Sequence, residues 1–424
     1  MSLFPVGHAS HDDWHHAVEQ VVLQLRGQML RQPQAPYRLG LIYLSQSLAP
    51  HAQELLALLA RSLPQVTDWV GSSGHTVLAM EHEYSASYSL AVMLLDISAA
   101  DYRVYSGVAP LALGGAEAGF EAHSALVHSS IDQPDLGELL LELSERTSSG
   151  NLFGALSDER GAQIACRAED LPQLRTGGAV GVFHAGFSGV AFDSDVACMS
   201  RLAQGCSPLG VGMEITQATG PVLLELEGEP ALPRLLQLLD VQASSGSNPG
   251  EGGGWQAALS QLRKTQAAIA PLGRGLERGA LTDEAQVLHI VGLDPVRQGV
   301  ALSSPVEPEH TVIFCQRDTS EARHELMQMG AALKDALQPD FADAGSDEGG
   351  NEAAHAEAAQ HIRGAIYVSS KGRGSEMFGG ADAELKLLRH ALGPVPLIGV
   401  VADAQLMDAR VHQLAGVLTV FTGK

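Results

Sequence analysis

One pattern recurs three times in this chain and restricts what it can fold into. It is an apolar strand ending in serine, a helical segment, a second strand turning on a glycine, and a third strand. The first copy is LGLIYLS (39–45), a helix around 52–60, DWVGSSG (68–74) and LAVMLLD (90–96). The second is SALVHSS (124–130), a helix over 136–145, NLFGALSD (151–158) and GGAVGVFH (177–184). The third is GAIYVSS (364–370), a helix over 383–392, PLIGVVAD (396–403) and GVLTVFT (416–422). Superposing Tyr43, His128 and Tyr367 aligns Ser45, Ser130 and Ser369, and the elbow glycines Gly71, Gly154 and Gly399 follow 26, 24 and 30 positions later. Matched residue types at near-constant spacing indicate a duplicated building block. The copies lie far apart and their tails differ, so they do not form a solenoid array.

Strands alternating with helices predict an α/β (α+β) fold, with helix-covered mixed sheets built from repeated strand-helix-strand-strand units. The third strand follows the elbow closely, so it should pair antiparallel. Runs such as LAVMLL and GVLTVF are apolar at nearly every position, as strands buried on both faces are.

A length of 424 residues exceeds one ordinary core and suggests two or three domains. Residues 11–31 read as an amphipathic helix, with Trp14, Val18, Val21, Val22, Leu25 and Met29 at steps of three and four. Between the second and third copies, 213–228 reads as a hairpin and 230–240 as a helix. Residues 242–254 (Gly/Ser-rich) and 339–360 (acidic) read as flexible loops. Strands are expected at 287–294, 299–305 and 311–318 with a helix at 320–337, so 287–337 is open to reading as a degenerate fourth copy.

The charge balance excludes some partners. With 26 Lys and Arg against 49 Asp and Glu, a net charge of −23 repels nucleic acid and anionic membranes. The 4 cysteines form no CxxC pair, which fits reduced thiols. MSLFPVGHASHDDW lacks the pattern of a signal peptide, and no run approaches 18 apolar residues, so a cytoplasmic protein is expected.

The polar residues at the strand ends are the candidate site. Ser45 goes with Ser72 and Ser73, Ser129 and Ser130 with Ser157 and Asp158, and Ser369 and Ser370 with Asp403. Hydroxyls and elbow amides from Gly71 to Ser73 at one sheet end suit an anion or small zwitterion. Serine and glycine also simply end strands, and recurrence at matched positions is what favours the pocket. SSKGRGSEMFGG (369–380) adds Lys371 and Arg373 on a glycine-rich loop, and the Arg fork matches a carboxylate. Neither a Walker A loop nor an HExxH helix is present, so His8, His11, His15 and His16 read as solvated or capping groups and no metal or cofactor is expected. HAGFSGV (184–190) misses the GxSxG elbow by one position, so no catalytic residue is assigned.

The chain resembles the FIST family, sensory modules of bacterial signalling systems. The residues carrying the likeness are GHASHDDW near the start, GSSG at 71–74, FDSDVACMSRLAQGCSPLGVGMEITQATGPVLLELEGEPAL (192–232) and the tail GAIYVSSKGRGSEMFGGADAELKLLRHALGPVPLIGVVADAQL (364–406). It implies a lead-in at 1–35, an N-terminal module at 36–225 and a C-terminal module at 226–424. It also implies a non-catalytic sensor of a small ligand, such as an amino acid or carboxylate, with a kinase, cyclase or diguanylate enzyme as partner. On the residue reading above, the ligand would lie on Ser369, Ser370, Lys371, Arg373 and Asp403, and in the other module on Ser45, Gly71, Ser72 and Ser73. Ser370 stands where the family often has cysteine, and 339–360 looks expanded. The alternatives are a serine-dependent hydrolase acting on a small acyl substrate and a ligand-free protein-interaction adaptor.

Overall fold

A computed structural model of the chain describes residues 2–423 apart from 113–115, 118, 159, 240–260, 278–279 and 338–360. The expected loops at 242–254 and 339–360 lie outside the described residues. The chain divides into two compact units, Met1–Ala203 with Leu326–Lys424, and Gln204–Glu325. All three copies fall in the first unit.

Each copy founds one six-stranded mixed sheet. The first runs Val6–His11, Tyr88–Leu95, Leu39–Ser45, Asp68–Gly74, Gln163–Cys166, Val182–Phe183. The second runs Arg410–His412, Ala404–Met407, Asn151–Ser157, Ser124–Ser130, Ser188–Phe192, Tyr102–Ser106, and the third Cys198–Ala203, Gly416–Thr422, Ile362–Ser370, Leu397–Ala402, Thr76–Ala79, His82–Tyr84. At the centre of each is a parallel pair. Such a pair needs a crossover, and a helix supplies it in every copy. The strand that follows is antiparallel to the first, as expected, but in the second copy it is Ser188–Phe192: the segment 177–184 expected there supplies only Val182–Phe183, which belongs to the exchanged hairpin.

The repeat is larger than the sequence pattern. A strand preceding each copy closes one edge of its sheet, and a hairpin after the glycine strand is given away. The first copy's hairpin (Thr76–Ala79, His82–Tyr84) joins the third sheet, the second copy's (Gln163–Cys166, Val182–Phe183) joins the first, and the third copy's (Ala404–Met407, Arg410–His412) joins the second. The exchange is cyclic, so no sheet is complete without a segment from another copy.

The register corrects two expectations. Gly71, Gly154 and Gly399 lie inside strands, opposite Ile42, Val127 and Tyr367. A Cβ there would sit 1.7, 1.9 and 1.8 Å from the carbonyl oxygens of those same residues, so only glycine fits. Tyr367 therefore matches Ile42 and Val127, one position away from Tyr43 and His128. Side chains alternate along a strand, so a one-residue slip changes the face. The true counterpart of Ser45 and Ser130 is Ser370, and Ser369 lies on the other face.

The inner faces of the three sheets share one core, to which Leu41, Val70, Leu126, Phe153, Ile366 and Ile398 contribute. Phe421 of the third sheet meets Phe4 and Phe192 edge-on at 6.0 and 5.6 Å. Helices cover the outer faces. The helix Trp14–Met29 buries Trp14, Ala17, Val18, Val21, Val22 and Leu25, and its N-cap Asp13 accepts from the amide of His15.

The second unit is antiparallel throughout. Met213–Thr219, Val222–Leu226, Gly299–Leu302, Gln286–Asp294, Thr265–Pro271 and His310–Arg317 pair in that order, and the last pairs with the first, closing a barrel. Closure removes open edges. The described strands of 287–337 have no parallel partner, so this segment is not a fourth copy. No helix among the described residues is long and apolar enough to cross a membrane.

Candidate functional site

The exchanged hairpins leave their sheets at the C-terminal ends of the parallel strands, and there the copies are tied together. The amide of His75 donates to Val401 O at 2.9 Å, and that of Asp403 to Leu156 O at 3.0 Å. Ser157 Oγ donates to Ser73 O at 2.7 Å. Side chains repeat the linkage. His75 Nε2 lies 3.0 Å from both carboxylate oxygens of Asp403, and Gln46 Nε2 donates to both oxygens of Asp158 at 3.0 Å. Arg160 donates to Asp158 at 2.6 Å. Burial raises the Asp158 carboxyl, but the hydrogen bonds from Arg160 and Gln46 outweigh it and hold the group below its ordinary range.

Beneath this junction five buried polar side chains link the first and second sheets in a ring. Tyr43 is the ladder neighbour of Ser72, and Ser72 of Gln163. Gln163 Oε1 accepts from Ser188 Oγ at 3.0 Å, Ser188 is the ladder neighbour of His128, and His128 Nε2 lies 3.3 Å from the Tyr43 hydroxyl. None of the five is more than 5% exposed. Burial pushes the His128 imidazole down to about 3, so the ring stays neutral near pH 7. Ser72 Oγ and His128 Nδ1 have no hydrogen-bond partner among the described residues. Buried polar atoms are nearly always satisfied by protein groups or ordered water, so a water or another polar group would complete these two.

The expected residues separate into groups. Ser45 and Ser370 are strand-end counterparts: Ser45 Oγ accepts from the Ser89 amide at 3.0 Å, and Ser370 Oγ from the Leu414 amide at 3.1 Å. Asp403 is in the junction and Ser72 in the ring. Gly71 and Ser73 lie in a strand, with the Ser73 amide donating to Ala162 O at 2.8 Å and its hydroxyl accepting from Ala162 N at 2.8 Å. The elbow amides are thus committed to the fold. Lys371 is exposed, and its amide donates to Ala402 O beside Asp403.

Arg373 belongs elsewhere. Its side chain is fully buried, and Nε donates to Glu384 Oε1 at 2.7 Å. Tyr367 and Ser369 donate to the same carboxylate at 2.7 and 2.9 Å, and a further Arg373 nitrogen reaches Ala203 O at 3.2 Å. The guanidinium expected to clamp a ligand already has a carboxylate of its own chain. Sequence reasoning missed Glu384, yet its signal was present: it shares a helical face with Leu388 and Ala391 in Ala383–Leu392, and an acid on an apolar stripe calls for a buried partner. The ring members Gln163 and Ser188 carried no such signal, because separate sheets bring them together.

Of the N-terminal histidines read as solvated or capping, His15 and His16 lie at the helix N-cap, whereas His8 is half-buried in a strand. His15 and His16 contact the Asp13 cap at 3.2 and 3.1 Å, and His8 meets the Tyr84 hydroxyl at 2.8 Å. No group of acids, histidines or cysteines among the described residues is arranged to hold a metal ion.

The FIST N domain family matches residues 38–229 and the FIST C domain family residues 255–404. An uncharacterized protein of Mycobacterium tuberculosis strain H37Rv is 27% identical over 223 residues, covering 50% of this chain and 47% of that protein. An uncharacterized protein of Mycobacterium bovis is 25% identical over 240 residues, covering 54% and 49%. The chain spans about half the length of the curated relatives it matches. FIST domains are associated with signal transduction and the sensing of small ligands. With both domains matched in order along its length, the chain belongs to the FIST family.

Proposed function

We propose that this protein is a non-catalytic sensor that binds a small amino acid or carboxylate at the junction of the three copies and signals to a kinase, cyclase or diguanylate enzyme. The observation that carries the reading is the buried ring with unpartnered Ser72 Oγ and His128 Nδ1. A ligand's polar group would complete their hydrogen bonding. The junction above offers both polarities, with Asp403 and Asp158 for an ammonium and His75, Gln46 and Lys371 for a carboxylate. Entry requires the His75–Asp403 and Gln46–Asp158 contacts to part, and these contacts join different copies, so binding would alter how the copies are held. Arg373 and Ser369 support the loop through Glu384 rather than touching the ligand.

The test is native mass spectrometry of gently purified protein, with a thermal-shift screen of amino acids and small carboxylates. A ligand that binds only the folded state raises the melting temperature by mass action. Ser72→Ala and Asp403→Asn should abolish that rise. The reading is lost if nothing is retained and no compound on the panel stabilises the protein.

A further inference from the structure

The opposite end of the first sheet carries a different site, which uses no residue of the junction. Arg38 immediately precedes the strand Leu39–Ser45, and Asp68 begins its parallel neighbour Asp68–Gly74. Two clefts meet here, of about 360 Å³ and about 780 Å³, with Arg38 and Thr67 in the walls of both. The main chain of Arg38 is pinned, its carbonyl accepting from the amides of Thr67 and Asp68 at 2.9 Å each. Its side chain is exposed and has no hydrogen bond or ion pair among the described residues.

Neither acid of the smaller cleft forms an ion pair with Arg38. Asp68 accepts from Thr67 Oγ1 at 2.6 Å, the Tyr102 hydroxyl at 2.9 Å and the Ala168 amide at 3.1 Å. Glu169 is paired with Arg167 at 2.7 Å. Arg103 and Arg167 also line this wall, but Arg103 donates to the carbonyls of Ala99, Ala100 and Tyr102, and Arg167 is paired with Glu169 and Asp170 at 2.7 and 3.7 Å. The larger cleft is different in kind. Met29, Leu30, Pro33, Ala35, Pro36 and Tyr37 line it. Its polar groups are turned to the chain itself, with Arg26 donating to Ser62 O at 2.6 Å and the Tyr37 hydroxyl to Gln32 at 3.0 Å. Leu30, 80% exposed, stands over it.

We propose that the paired clefts bind an amphipathic monoanion, a carboxylate with a medium-length hydrocarbon body, its head on Arg38 and its body along the 29–37 wall. Charge complementarity fixes the head, because a guanidinium matches a carboxylate bidentately. The apolar wall fixes the body, because covering it removes hydrocarbon from water on both partners.

Titration calorimetry on the full chain with sodium acetate, hexanoate and decanoate, and with 1-decanol, tests this. Affinity should rise about fourfold for each added methylene until the groove is filled. Decanoate should bind at least about tenfold more tightly than decanol, and Arg38→Ala should remove that advantage with the melting temperature unchanged. Leu30→Glu, which places a like charge over the groove, should weaken decanoate while leaving acetate as it was. The proposal is overturned by absence of decanoate binding, by equal affinity for decanol, by undiminished decanoate binding in Arg38→Ala, or by affinity that ignores chain length.

Discussion

The two ends of the first sheet solve the same problem in opposite ways. At the C-terminal ends of the parallel strands, hairpins from other copies arrive and supply hydrogen-bond partners: His75 has Asp403 and Asp158 has Gln46. At the N-terminal ends Tyr102 and Ala168 supply partners for Asp68, but no group among the described residues pairs with the side chain of Arg38, which lines two clefts. At the first end the charged groups are already paired within the chain, and the proposed ligand would have to part those contacts. The second leaves a charge for something outside the chain. The same residue type, arginine, is buried in an ion pair as Arg373 and exposed without one as Arg38, and only the surroundings differ.

That contrast can be broken by mutation. The largest effect should come from Arg373→Ala, which strands the buried Glu384 carboxylate without its cation and costs about 3–5 kcal/mol in denaturant unfolding. The pair Arg373→Met with Glu384→Leu should recover most of it, and a single variant as stable as wild type would deny Arg373 its structural role. Next, Gly399→Ala drives a methyl into the Tyr367 carbonyl and should cost about 3 kcal/mol. A loss below about 1 kcal/mol would mean the strands can separate there after all.

A pH effect ranks third. His128 is held at about 3 in the fold against 6.5 when exposed, so the unfolded chain binds the extra proton. Its contribution is fully present above pH 6.5 and is lost as pH falls towards 3. At pH 5 this amounts to about 2 kcal/mol. Burial also pushes His412 down to about 4, which adds a loss of the same sign over a narrower window. Urea midpoints at pH 7.5 and 5 should show a smaller drop in His128→Gln than in wild type, and identical drops would mean His128 is not buried neutral. The smallest effect belongs to the open end. Arg38→Ala should leave stability within about 0.5 kcal/mol, since its side chain touches little, and a larger loss would place Arg38 with the structural arginines.

Much of the fold was legible because its signals are local. Apolar runs with serine ends marked the first strands of all three parallel pairs, and the helix faces followed from steps of three and four. The candidate site was legible only in part. Polar strand ends do converge, but Ser369 faced the wrong way once the third copy slipped by a residue. The tyrosine that suggested the alignment, Tyr367, faces a helix, whereas Tyr43 faces the shared core. Neither face carries a distinctive mark in a strand apolar on both sides. His128 served only to set the register in the sequence, and its role in the ring depends on Gln163 and Ser188 arriving from different strands.

The sequence by itself determined the threefold repeat, the strand-helix-strand order and the mixed sheets, because periodicity and crossover length are properties of contiguous residues. The tertiary structure decided the cyclic exchange of hairpins, the register of the third copy, the pairing of Arg373 with Glu384 and the openness of the Arg38 end. Each of these depends on which group arrives from a distant part of the chain. A short segment's composition fixes what it needs, and packing alone decides whether its own chain or a ligand provides it.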